Sequence, residues 1–175
     1  MAHKEISTKE LNVNPVTMFS DGWAILTAGS ENDCNGMTVS WGAIGEIWGK
    51  AAMFVFVRPQ RYTHDFCEKS DYFTVSCFGG KEREALSFFG SKSGRDCDKF
   101  RETGLTAKAD GDYIYCDEAE LVFLCKLVLY STTDFSSDII DLRSSADTIQ
   151  SIYVRILLEF IIFIWKYYYS CIFRC

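Results

Sequence analysis

Arg58, Arg61, Tyr62 and Thr63 stand together in the string RPQRYT, where an apolar run ends. Guanidinium forks match phosphate oxygens bidentately, so two arginines and two hydroxyls at a strand end have the chemistry of an anion site. Thr63 reads as a helix N-cap, and the free amides of a helix start also favour an anion. By alternation Arg61 points away from the others and reads as a surface charge, and His64 reads as an exposed histidine at the helix start. A second group lies upstream in NGMTVSWG, where Thr38, Ser40 and Gly42 alternate with Met37, Val39 and Trp41. Its small polar face could receive a flat ligand or ordinary water. A third is SKSGRDCDK, in which Ser93 and Gly94 precede Lys99. A lysine in the first turn of a helix is ordinarily solvated, and Arg95 and Asp96 read equally as a local ion pair or a cap. No credible Ser/His/Asp set, P-loop or GxGxxG fingerprint is present.

The elements that must hold these groups follow from periodicity. Trp23 to Ala28 reads as the first core strand, and alternation from Met37 onward as a half-buried one. Between them, Asn35 and Gly36 form a two-residue hairpin signal, so the local reading of Asn35 is a turn former. Ala51 to Val57 reads as a strand buried on both faces. Thr63 to Lys69 is a short helix, Asp71 to Phe78 a strand with Phe73, Val75 and Cys77 on one face, and Lys81 to Phe89 an amphipathic helix. The loop from Ser91 turns into another helix stopped at Gly104. Asp110, Gly111 and Asp112 suit a hairpin, and Glu120 to Tyr130 is a strand whose Lys126 sits at an edge or snorkels. At least five strands, mostly antiparallel, with two or three short helices make the chain mainly β; periodicity alone leaves barrel and sandwich both open.

A chain of 175 residues has the length of one domain, and 48% hydrophobic with 15% aromatic residues is a globular composition. The formal net charge of -6 argues against a nucleic acid partner, which would require a basic stripe. The eight cysteines show no CxxC spacing, and the start MAHKEISTKE has no apolar signal core. Reduced, mostly buried thiols in a cytoplasmic protein are therefore expected. Cys34 has no positive neighbour to lower its pKa and is expected to be inert. With only His3 and His64, no metal site is expected.

Taken in order, NxMTxSWG, WGK, an apolar strand, RPxRYT and SGRDxDK resemble the flavin reductase family of FMN-binding split barrels, in its flavoredoxin-like branch. The resemblance covers about Ile6 to Asp141, and several linked motifs in one order are more specific than any single one. It implies a mainly β fold with short helices, a split β-barrel of the FMN-binding type, over residues 1–141. FMN would be held by Asn35, Met37, Thr38, Ser40, Trp41, Arg58, Tyr62, Thr63, Ser93, Gly94 and Lys99. The first five would lie beside the flavin; Arg58, Tyr62 and Thr63 would hold the phosphate or ribityl chain; Lys99 would stabilise the reduced anionic ring. Core packing is the competing reading of Trp41, and a solvated strand end that of the second motif. The resemblance further implies an oxidoreductase, a flavin reductase or flavoredoxin-like electron carrier. It would pass reducing equivalents from NAD(P)H or a protein donor to flavin or another acceptor, as a homodimer. The alternative is a non-catalytic flavin-binding module or inactive variant.

Residues 142–175 depart from that pattern. From Ile152 they read IYVRILLEFIIFIWKYYYSCIFRC, and Arg155, Glu159 and Lys166 interrupt what would need about 20 continuous apolar residues to span a membrane. In the resembled family this region supplies a further strand with a histidine-threonine pair and a GEI motif, neither of which occurs in the tail. The expectation is an atypical, aberrant C-terminus that packs poorly or non-natively, which a well-packed barrel strand over Ser151 to Leu158 would refute.

Overall fold

The computed structural model describes residues 4–47, 49–131 and 151–156. The strands are β1 (Ala24–Ser30), β2 (Asp33–Val39), β3 (Gly42–Ile47), β4 (Lys50–Phe56), β5 (Tyr72–Cys77), β6 (Ala107–Asp110), β7 (Tyr113–Cys116), β8 (Leu121–Ser131) and β9 (Ser151–Ile156). The α-helices are α1 (Pro15–Thr17), α2 (Tyr62–Lys69), α3 (Arg83–Ser91) and α4 (Lys99–Thr103). Seven strands form one sheet in the order β2-β1-β5-β8-β9-β4-β3, and β6 and β7 form a separate hairpin. All pairings are antiparallel except those of β9, which runs parallel to both β8 and β4. Among the described residues the ladder is open, with β2 and β3 at its ends, so the closure expected of a split barrel is not among these pairings.

Strand alternation explains the layers. On β5, Phe73, Val75 and Cys77 enter one apolar cluster with Leu26, Met37, Val55 and Phe66, while Thr74 and Ser76 face the other way. Those hydroxyls dock the small hairpin: Thr74 Oγ1 donates to the Ile114 carbonyl at 2.6 Å, and Ser76 Oγ accepts from Cys116 N at 3.2 Å. A second apolar cluster gathers Ile25 of β1 with Ala85, Leu86 and Phe89 of α3. β1 is therefore buried on both faces, and α3 is fixed to it by its apolar side, as the spacing of Ala85, Leu86 and Phe89 requires.

Several expected elements shift. The first hairpin turns at Glu31 and Asn32, with Ser30 opposite Asp33, and not at Asn35 and Gly36. Gly36 instead lies opposite Thr27 in the strand, where a Cβ would come within 3.0 Å of Ile25 Cγ2 and press into the Phe89 ring. Its glycine serves the close approach of α3 rather than a turn. The anticipated stop at Gly104 is present as a left-handed C-cap with φ 76°. Lys126 lies on an interior strand, opposite Tyr72, and carries its ammonium over that ring at 6.0 Å; it snorkels and is not at an edge. Of the tail, Ser151–Ile156 is in the sheet by backbone pairing; the rest of 142–175 lies outside the described residues. Among the described residues no helix is long and apolar enough to cross a membrane.

Candidate functional site

The three sequence motifs converge at the start of α2. Asn35, on β2 and only 5% exposed, donates from Nδ2 to Thr63 Oγ1 at 2.8 Å. Gly94 closes over the pair: a Cβ there would collide with Asn35 Oδ1 and lie 3.1 Å from Tyr62 Cδ1. Only a residue without a side chain lets that loop approach so closely. Thr38 Oγ1 donates to the Leu86 carbonyl, which ties the first motif to α3.

Thr63 is not the helix cap. The N-cap of α2 is Arg61, and Thr63 lies within the first turn with 1% exposure. Its hydroxyl is committed to Asn35, an interaction between residues 28 apart in sequence that no local cap signal reports. Arg61 is likewise no surface charge. Its Nη1 donates to the Gly90 carbonyl at 2.6 Å and its Nη2 to the Phe89 carbonyl at 3.0 Å. Alternation failed here because residue 61 has left the strand.

Lys99 is 4% exposed rather than solvated. Its Nζ donates to the carbonyls of Phe89 at 3.3 Å and Lys92 at 3.4 Å. Cations at a helix C-terminus complement its dipole, and both Arg61 and Lys99 do so for α3. Burial first, and the Arg61 charge second, pull the Lys99 amine down from 10.5 to about 8. Arg61 is itself lowered, first by burial and then by Arg58. Arg58, Arg61 and Lys99 thus form a chain of mutually opposing cations, and among the described residues no carboxylate pairs with any of them. FMN carries a phosphate, and this donor set without a counter-charge fits a phosphorylated ligand.

The remaining expected residues divide. Ser93 lies in the convergent loop, where its Oγ accepts from Arg95 N at 3.2 Å. Met37 is buried in the apolar cluster with Leu26, Val55 and Phe66, against which Tyr62 also packs. Ser40 is half-buried beyond the end of β2, Arg58 is exposed, and Trp41 is 55% exposed, which rules out core packing for its ring.

Two features escaped sequence reasoning. His64 is 7% exposed, not at the surface, with Nδ1 3.6 Å from Glu68 Oε2 on the next turn. His64, Asp65 and Glu68 bring their ligand atoms within 4.8 Å of one another. Arg95 pairs with Asp65 at 2.8 Å and covers the Tyr62 ring at 4.5 Å. Its ion pair is with another segment, and the only local hint was an arginine beside a glycine loop. Cys34 is on a strand, and burial, with Asp98 and Asp33 nearby, pushes its thiol up to about 11, which keeps it protonated.

A family model of the flavin reductase like domain matches residues 16–140. No curated protein matches the chain. Among solved structures the fold is similar to the FMN-binding domain of a flavin reductases-like enzyme from Shewanella baltica OS155, with TM-score 0.57 and 18% identity. That alignment covers 67% of this chain and 65% of the other, so the chain spans less than two thirds of that relative's length. It is also similar to flavoredoxin of Desulfovibrio vulgaris (Miyazaki F), with TM-score 0.59 and 21% identity over 75% of this chain and 69% of that one. An FMN-binding protein from Thermus thermophilus aligns with TM-score 0.57 and 18% identity over 74% and 71% of the two chains. At these identities the likeness is one of fold.

Proposed function

The chain belongs to the flavin reductase like domain family, and from that premise we propose that it holds FMN non-covalently at the convergence of β2, α2 and the 92–98 loop with the Lys99 that follows it. The observation that carries this reading is the Asn35 to Thr63 hydrogen bond with Gly94 packed against Asn35, because it joins three motifs distant in sequence. When bound, FMN supplies hydride and electron transfer. The protein's own groups bind and orient. Arg58 and Arg61 offer donors to the phosphate, Tyr62 and Thr63 line the corner, and Thr38 and Ser40 leave a low wall. Lys99 holds a positive charge in a water-poor setting, where it attracts an anion more strongly than in bulk water.

On this reading the protein is an oxidoreductase in which NAD(P)H or a protein donor delivers reducing equivalents. A homodimer with a closed split barrel completes the site, and the exposed Trp41 lies on the face that a second copy covers. The alternative, a non-catalytic flavin-binding module, draws on the departure of residues 142–175 from the family pattern. Purified protein with the absorbance of oxidised flavin, bleached anaerobically by NADH or NADPH, supports the reductase. Flavin that binds but resists both donors supports the passive module, and a colourless protein that takes up no added FMN contradicts both.

A further inference from the structure

We propose that Arg95 is a positioning residue for this site, a latch that fixes the Ser93 and Gly94 turn against the first turn of α2; the proposal rests on the FMN reading. Three of its contacts reach one neighbouring segment. The guanidinium covers the Tyr62 ring at 4.5 Å, Nη2 meets Asp65 Oδ2 at 2.8 Å, and Nη1 lies 3.5 Å from the Gln60 carbonyl. Its backbone end is held in the opposite loop, where Arg95 N donates to Ser93 Oγ and Asp96 N to the Ser93 carbonyl at 3.1 Å.

Arg95 and Asp65 are 48% and 40% exposed, so their pairing adds little to global stability. What the contacts share is direction: each ties the loop to the corner that carries Tyr62 and Thr63. Gly94 supplies no side chain to hold that approach, and Lys99 follows five residues later, pinned to the end of α3. Without the latch, the loop is free to leave Asn35 while both apolar clusters stay intact. Arg95 touches neither Asn35 nor Lys99 in any hydrogen bond of the structure, so its effect on a ligand passes through Tyr62 and the loop.

The test measures FMN dissociation constants beside amide exchange of residues 92–99 in the ligand-free protein. Arg95→Ala is expected to weaken FMN by about tenfold, the combined scale of an exposed cation–π contact and ion pair. It should also speed exchange in the loop and leave the unfolding midpoint close to that of the wild type. Asp65→Asn should lose about threefold, and the double variant little more than Arg95→Ala alone, because the two act as one unit. Arg95→Lys, which keeps the cation but not the fork, should recover part of the loss. Should Arg95→Ala fail to fold, Asp65→Asn decides instead: faster loop exchange with its about threefold loss supports the latch, and no change in either overturns it. Unchanged affinity together with unchanged loop exchange in Arg95→Ala overturns the latch. A wild-type protein that binds no FMN overturns the functional reading instead, and loop exchange in the ligand-free variants still decides whether the latch exists.

Discussion

The two sides of the first turn of α2 carry opposite chemistry. On one side Arg58, Arg61 and Lys99 stand without a described carboxylate, around the buried pair of Asn35 and Thr63. On the other, a cavity of about 490 Å³ opens between the β1–β2 turn and the β6–β7 turn. Its lining includes Glu31, Asp33, Asp65, Asp71 and Asp112 against a single Lys69. A cavity of that size is within the range of small-ligand sites. Charge selects the first, because a phosphate entering the acidic cavity would meet five carboxylates. Tyr62 and Asp65 belong to the wall between them, and Arg95 takes up Asp65 from the donor side.

The sharpest way to break this contrast is to fill the donor side. Gly94→Val must displace Asn35 or the loop, and FMN affinity should fall by about a hundredfold, the upper end of the cost of overpacking; fluorescence titration of FMN reads it directly. Next comes Thr63→Val, which leaves the Asn35 amide buried without its acceptor. Urea unfolding should show a loss of about 1–3 kcal/mol, with FMN binding weakened as well, and Thr63→Ser should recover most of both.

Lys99→Met is expected to weaken FMN by about tenfold at neutral pH, the worth of one charge-assisted contact. The wild type should lose affinity as pH rises through about 8, where the ammonium discharges, and the variant should show no such step. Folding stability moves in the opposite sense. Between about 8 and the ordinary 10.5 the unfolded chain holds a proton at Lys99 that the folded chain does not. Ligand-free wild type should therefore gain stability relative to Lys99→Met across that window, whereas below it the buried charge opposes folding. The smallest effects belong to the acidic side: Glu31→Gln and Asp112→Asn should leave FMN affinity within about twofold, as exposed charges on the wrong face do.

Much of the fold was legible because alternation is a strong signal where a strand is half buried. Phe73, Val75 and Cys77 pack together as their spacing requires, and the turn at Gly111 forms where Asp110, Gly111 and Asp112 place it. The Asn35–Gly36 turn was misplaced because its local preference yields to register: pairing Ala28 with Asn35 buries Met37 and Val39 and lets Phe89 lie over Gly36. The break between β2 and β3 was invisible, since Trp41 continues the apolar alternation while standing outside both strands. The site's residue types were readable as motifs, but their roles were not. Arg61 and Lys99 are oriented by the carbonyls at the end of α3, and those contacts cross segments that spacing does not relate.

Hydrogen–deuterium exchange with and without saturating FMN reports both sides of α2 in one experiment. FMN bound at the donor side should slow exchange at residues 35–40, 61–64 and 92–99, with little change at 30–33 and 110–113. Protection confined to the acidic turns, with the donor side unaltered, would contradict that placement.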